Sequence, residues 1–281
     1  MDVKLTKGAD IKIKGVAERV YANINLSKYC GLKPTDFHLL IPKMVVKEGD
    51  YVKAGDVLFV DKNFEDIKFT APVSGQVSSI VRGDKRKILE VVVEADQEIK
   101  FKDFEKRDLS SLSRDIIIKD LLESGLWPVI RQRPFSTIAN PNDIPKAIFI
   151  SAFKSGPLAP DNDFIFHGDN DLFQCGLDIV SQLSSGITHL NIDGNANPAN
   201  VFSKAQGVQI NRIYGPHPSG NIGVQIHHID PINKGDVIWY LAPQDIIAIA
   251  RFFKFGKYDA SKIIALTGSG VQKSRYYRFI R

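Results

Sequence analysis

The sequence predicts a multidomain chain in which an all-β domain precedes an α/β domain. Two observations carry this. Between His38 and Val93 the apolar residues fall in short runs of period near two, and a turn signal recurs about every 8–12 residues, as in a small all-β domain. From Ser111 onward helical stretches alternate with buried-strand runs, the pattern of a parallel sheet with helices on its faces.

The β elements come first. In HLLIPKMVVKEGDYVKAGDVLFV the turns are EGD at Glu48–Asp50 and AGD at Ala54–Asp56. Glycine takes positive φ freely there, and aspartate bonds nearby backbone. DKNFEDIKFT follows, then APVSGQVSSIVRGD with Gly75 and Gly83 as turn points, and ILEVVVEA closes the block.

The α/β elements follow. SLSRDIIIKDLLESG reads as a helix with Ser113 as N-cap, Asp115 at the positive end of the dipole, Ile117, Leu121 and Leu122 on one face, and Gly125 at its end. KAIFISAF is a buried strand. DLFQCGLDIVSQLSSG reads as a helix ending at Gly186. ITHLNIDG, VQINRIYG and DVIWYLA are further strands, and PQDIIAIARFFKFG is a helix with Pro243 in its first turn and Gly256 past its end. The alternation predicts a parallel, Rossmann-like sheet.

Composition limits the function classes. The 281 residues suffice for about two domains, and 43% apolar with 25% charged residues is ordinary globular protein. No run approaches the roughly 18 apolar residues a membrane span needs. The start, MDVKLTKGADIKIKG, lacks the apolar stretch of a signal peptide, so a cytoplasmic protein is expected. A net charge of +5 and a pI near 9.0 permit an anionic partner, a lipid surface or an acidic protein. The basic groups at Arg82–Lys87 and in KSRYYRFIR read as solvated strand ends rather than a nucleic-acid surface. Two lone cysteines, Cys30 and Cys175, with no CxxC, exclude an iron–sulfur or zinc site built from this chain's own thiolates and suit a reducing compartment.

Nucleotide chemistry is also missing. Neither G-x-G-x-x-G nor G-x-x-x-x-G-K-[ST] occurs. TGSGVQKS at Thr267–Ser274 has the wrong spacing for a phosphate loop. The prolines of KSGPLAPD remove amide donors that a phosphate would need.

Three constellations remain. WPVIRQRPFSTI brings Trp127, Arg131, Arg133, Pro134, Phe135 and Ser136 together; aromatic faces plus guanidinium groups suit a planar, carbonyl-bearing ligand. The same segment also reads as a packed linker whose arginines pair with carboxylates. GPHPSGNIGVQIHHIDP, from Gly215 to Pro231, is a sharply turned loop that holds His217 between prolines and carries the adjacent His227 and His228. No ligand spacing supports a metal there, and structural histidines are the simpler reading. NIDGNANPAN borders a strand end and reads as turn and cap chemistry.

Two resemblances follow. VKEGDYVKAGDVLFV followed by APVSGQV is similar to the biotinyl/lipoyl carrier fold, a barrel-sandwich hybrid. Counting back from Ala71-Pro72 in the carriers' register puts Phe64 where the carrier lysine would stand, with Lys62 and Lys68 flanking it. A docking or structural role is therefore expected rather than carriage of a swinging cofactor. Over nearly the whole chain, GADIKIKG, the sandwich, GLWPVIRQRPFS, THLNIDG, GPHPSGNIGVQIHHIDPI and DVIWYLAPQDIIAIARFF resemble in order the A-subunit family of the sodium-translocating NADH:quinone oxidoreductases.

That resemblance implies a respiratory translocase complex that takes electrons from NADH to quinone and exports sodium. Its flavins and iron–sulfur centre would sit on partner subunits. This chain would bind no cofactor, supply no catalytic residue, and lie peripherally on the cytoplasmic face of a bacterial inner membrane beside membrane and flavin-bearing subunits. Quinone contact would fall to Trp127, Arg131, Arg133, Pro134, Phe135, Ser136, Gly215, His217 and His227. The implied organisation is an N-terminal segment at 1–36, the sandwich at 37–100, the α/β domain at 101–257, and at 258–281 the start of a β-grasp domain cut short. The alternatives are the C-subunit of the related ferredoxin:NAD electron-transport complex, which shares both domains, and a non-enzymatic scaffold module.

Overall fold

The computed structural model describes residues 1–22 and 24–280. In chain order its first elements are β1 (Asp2–Lys4), β2 (Glu18–Ala22), β3 (Tyr29–Leu32), β4 (Pro42–Met44), β5 (Tyr51–Val52), β6 (Val57–Asp61), β7 (Phe64–Thr70), β8 (Gly75–Arg82) and β9 (Ile88–Ala95). Then come α1 (Arg114–Ser124), β10 (Arg131–Arg133), β11 (Thr137–Ile138), β12 (Ala147–Ser151), α2 (Asn162–Ile165), α3 (Asn170–Ser181) and β13 (Ile187–Asp193). The last are α4 (Asn200–Ser203), β14 (Gln209–Tyr214), α5 (Ile222–Ile229), β15 (Ile238–Leu241), α6 (Pro243–Phe255), β16 (Ser261–Leu266) and β17 (Arg275–Ile280). Two compact units result: Met1–Ile24 with Asn142–Ile247 and Lys262–Phe279, and Asn25–Pro141 with Ala248–Ser261 and Ile280–Arg281.

The second of these units holds the sandwich. One antiparallel sheet has the order β3-β9-β8-β5 and the other β4-β6-β7. Alternate side chains fill the interior: Leu58, Val77, Val91 and Val93 are fully buried, and Phe59 stacks on Phe69 at 4.8 Å. Both Gly-Asp turns form by the expected chemistry. The Asp50 carboxylate accepts from the Lys47 N–H at 3.0 Å and that of Asp56 from the Lys53 N–H at 2.8 Å, while Gly49 and Gly55 take φ of +91° and +97°. The β6–β7 hairpin corrects the counted register. Its tip is Lys62-Asn63, braced by the Asn63 N–H on the Asp61 carboxylate at 3.0 Å, and Phe64 already belongs to β7. The ladder jumps from Val60↔Lys68 to Asp61↔Phe64, so β7 carries extra residues that counting along the sequence does not reveal.

Helix α1 packs in the same unit. Ser113 caps it by accepting the Ile116 N–H, Gly125 closes it in the left-handed region, and Ile117 and Leu121 are fully buried. The Thr70 hydroxyl of β7 donates to the Ser124 carbonyl at 3.2 Å.

The first unit is built on parallel strands in the order β1-β14-β13-β12-β15. The chain moves outward from β12 through β13 to β14, then returns to place β15 on the other side of β12. That reversal puts the topological switch point between β12 and β15. The edge strand β1 comes from the extreme N-terminus, which periodicity did not assign to the sheet. Every residue of β12 is buried, and α5 lays Ile226 against Ala147, Phe149 and Ile238. Helix α3 stops at Ser181 rather than running to Gly186. Ser184 turns its hydroxyl to the Pro145 carbonyl at 2.7 Å and accepts the Gly186 N–H at 2.9 Å, which draws the chain out of the helix toward β13. A small sheet of order β16-β17-β2 completes the unit. The segment expected to begin an incomplete sheet is thus partnered by β2, with Tyr276 buried against Phe164 and the edge of Tyr21.

Candidate functional site

In the unit that holds the sandwich, the aromatic–arginine segment folds into a short hairpin. Arg131 pairs with Ile138 and Gln132 with Thr137, which leaves Pro134, Phe135 and Ser136 at the tip. The Arg133–Pro134 peptide is cis, and Phe135 and Ser136 both take positive φ, +76° and +57°. The Arg131 guanidinium ties the tip by donating to the Ser136 carbonyl at 2.7 Å. The two aromatic rings separate in role. Trp127 is fully buried, and its indole N–H donates to the Ala139 carbonyl at 2.7 Å, so its ring is a core anchor at the base of the hairpin. Phe135 is 78% exposed at the tip. Arg131, Arg133 and Ser136 are half-buried around it.

Gly215, His217 and His227 belong to the other unit. Gly215 and His217 follow β14 at the carboxyl ends of the parallel strands, where α/β proteins place ligands. His227 instead stands near the end of α5, one turn before Asp230, which pairs with Lys146 at the amino end of β12. The loop after β14 is heavily tied. The His217 backbone N–H donates to the Asp10 carboxylate at 3.0 Å, and its carbonyl accepts from Ala9 at 2.9 Å. Ser155, in the loop after β12, accepts the Gly220 N–H at 2.7 Å, and its hydroxyl lies 3.1 Å from His217 Nδ1. This Ser155–His217 pair joins residues that no spacing argument could have linked. His227 and His228 are exposed on the last turn of α5 with their rings at 82° and 5.2 Å apart. Among the described residues no group of three or more His, Cys, Asp or Glu stands close enough to hold a metal.

Two further features of this unit escaped the sequence. A cleft of about 260 Å³ opens beyond β12 and β13, lined by Lys154, Asp161, Asn162, Asp163, Asp193 and Arg19. Arg19 pairs with Asp161 at 2.5 Å, and crowding by the surrounding chain lowers the Lys154 ammonium from its ordinary range, with Asp245 opposing the shift. Beneath the edge lies a buried polar network. The Asn191 amide donates to Gln225 at 2.8 Å, the Asn211 amide donates to Asn191 at 2.8 Å and faces His189 Nδ1 at 3.2 Å, and Gln225 donates to the Ser219 carbonyl at 3.0 Å. His189 stacks on Phe149 at 4.4 Å, and burial pushes its imidazole down to about 4. A neutral ring leaves Nδ1 free to accept the second Asn211 N–H. The network therefore ties β13 and β14 to α5 and to the loop that carries His217.

Comparison with known proteins decides the family. Residues 3–96 match the family described as the NqrA N-terminal barrel-sandwich hybrid domain, and residues 112–258 match the NqrA second alpha/beta domain. The chain belongs to the NqrA family. Proteins named as the A-subunit of Na(+)-translocating NADH-quinone reductase are similar to it: that of Photorhabdus laumondii is 36% identical over 98% of this chain, that of Pseudomonas aeruginosa 35%, and that of Glaesserella parasuis 36% over the same share. The chain spans 62% of the length of each of these relatives. A crystal structure of an NAD+-reducing NiFe hydrogenase in the air-oxidized state covers 65% of this chain and 42% of its own at 11% identity, with a TM-score of 0.41, too slight a likeness to argue from. Membership accounts for the order of the two domains, an all-β sandwich ahead of an α/β unit. No helix among the described residues is long and apolar enough to cross a membrane.

Proposed function

We propose that this chain is a cofactor-free, membrane-peripheral component of a sodium-pumping NADH:quinone reductase, and that it supports quinone reduction rather than performing a bond-making step. The observation that carries the reading is the match of both family domains in order, along a chain whose relatives are named as the A-subunit of such an enzyme. The sequence supports it from another side, with no CxxC and no phosphate loop. Flavins and the iron–sulfur centre then belong to partner subunits, and the chain docks against these and the membrane subunits at the cytoplasmic face of a bacterial inner membrane. The parallel unit is read as Rossmann-like and the β16–β17 segment as the opening of a β-grasp domain, within the divisions 1–36, 37–100, 101–257 and 258–281.

Quinone contact is proposed at the hairpin tip, through Arg131, Arg133, Pro134, Phe135 and Ser136, with Trp127 holding the hairpin from within. An exposed aromatic ring beside guanidinium donors suits a planar dicarbonyl ring. Gly215, His217 and His227 form a second proposed contact in the other unit. The test is photolabelling of the assembled complex with a quinone analogue and mapping of the labelled peptides. Label within residues 131–136 or 215–228 that excess quinone displaces is the expected result. Label confined to other subunits would overturn the contact and leave this chain a structural component.

A further inference from the structure

Residues 4–16 leave the edge strand β1 and cross the surface of the first unit outside any helix or further strand. Lys4, Lys7, Lys12 and Lys14 are all exposed there, and so are Ile11 (61%), Ile13 (53%) and Val16 (76%). Single exposed apolar residues are ordinary, but three bulky ones interleaved with lysines in one short stretch form a patch that asks for a partner. Its first half, residues 5–10, is fixed in place. Leu5 donates to the Tyr214 carbonyl at 2.8 Å and Ala9 to that of His217 at 2.9 Å. Gly8 packs so closely on the His217 carbonyl that any side chain would collide with it. The one carboxylate of the stretch, Asp10, is engaged by the His217 N–H. Beside it opens a cavity of about 520 Å³ walled by Leu5, Pro218 and Val224, with Lys4, Lys7 and His228 around them. None of its described lining residues is a carboxylate.

We propose that residues 4–16 and this cavity form a contact site for an anionic phospholipid surface. Lysine ammonium groups reach headgroup phosphates while their stems lie along the apolar boundary, and the isoleucines enter it. The Ile13 N–H closes a tight turn on the Ile11 carbonyl at 3.1 Å, so the run is not the extended edge on which a partner strand would pair. A soft lipid boundary accepts exposed isoleucines and lysines from the same short stretch, because the lysine stems bend back and carry their ammonium groups to the phosphates. The inference deepens the membrane-peripheral reading above and rests on it.

The test is co-sedimentation of the full 281-residue chain with vesicles of phosphatidylcholine alone, or of equal parts phosphatidylcholine and phosphatidylglycerol. Binding to the anionic vesicles only, weakening with salt, is expected. Lys12→Gln with Lys14→Gln should lower the partition about twenty-five-fold, at roughly a factor of five per lysine. Ile11→Ser with Ile13→Ser should lower it as well. Both variants should keep the parent Tm, since the altered side chains are exposed. Absence of binding, equal binding to both vesicles, or indifference to both variants would overturn the proposal. Competition by inorganic phosphate at concentrations too low to screen charge would overturn it in favour of a free-anion site. Cross-linking of residues 11–14 to an acidic partner protein rather than to lipid in the assembled complex would overturn it in favour of a protein contact. A chain that assembles with the complex yet ignores vesicles would remove the lipid contact alone.

Discussion

Trp127 and Phe135 lie in one short segment and answer to opposite forces. The indole of Trp127 is sealed and hydrogen-bonded, so Trp127→Ala should cost about 3–5 kcal/mol in denaturant unfolding. Phe135→Ala should change stability by less than about 0.5 kcal/mol and should lower quinone-analogue labelling of the complex. A stability loss at Phe135 as large as that at Trp127 would contradict an exposed tip. His189 makes a prediction in pH. Its imidazole titrates near 4 in the fold against an ordinary value of 6.5. Between those values the unfolded chain binds the proton and the folded chain does not, so stability rises with pH across that window and is fully present above about 6.5. The swing is about 3 kcal/mol. His189→Gln should flatten the acid limb of a stability–pH profile below pH 6.5 while leaving other titrations in place. Nearby, Gln225→Leu leaves the Asn191 amide without its buried acceptor and should cost about 1–3 kcal/mol in the same assay.

Among the elements, the β6–β7 hairpin shows what local counting can and cannot do. The strands and turns around it follow directly from alternation and from Gly-Asp pairs. The tip residue does not, because extra residues in β7 shift the register and bring Lys62 to the tip instead of Phe64. The end of α3 is a similar case: the apolar period continues past Ser181, but Ser184 bonds Pro145, far along the chain, and the helix yields to that tie. Helix packing supplies a test at this scale. Gly176 of α3 lies against the backbone of Ile246, so closely that a methyl group would collide with it. Helix propensity alone favours Gly176→Ala, yet overpacking should make it destabilising by about 1–3 kcal/mol in thermal or denaturant melts. A gain in Tm would show that α3 and α6 are less tightly packed than they stand here.

For the whole molecule, the proposed role separates two activities of the complex. A complex assembled without this chain should lose quinone reduction before it loses NADH oxidation by an artificial electron acceptor, measured on the same membranes. Equal loss of both would place the chain on the NADH side or make it a general assembly factor. The N-terminus matters at this scale in a way its short sequence hides: β1 edges the parallel sheet, β2 partners β17, and the stretch between them carries the exposed isoleucines and lysines. Three roles in fewer than two dozen residues follow from where the chain passes, not from its composition.

Element type, turn position and helix caps were legible because they depend on neighbours a few residues apart: period two or 3.6, Gly-Asp turns, Ser113 and Gly125 at the ends of α1. The aromatic–arginine segment was legible as a cluster for the same reason. Which of its rings is buried and which exposed was settled only by packing, since Trp127 and Phe135 look alike to any local rule. The tertiary structure alone joined Ser155 to His217, His189 and Asn191 to Asn211 and Gln225, and β2 to β17. Each of these pairings spans a long loop, and it forms because strand order and core packing bring the partners together, information that no short window of sequence contains.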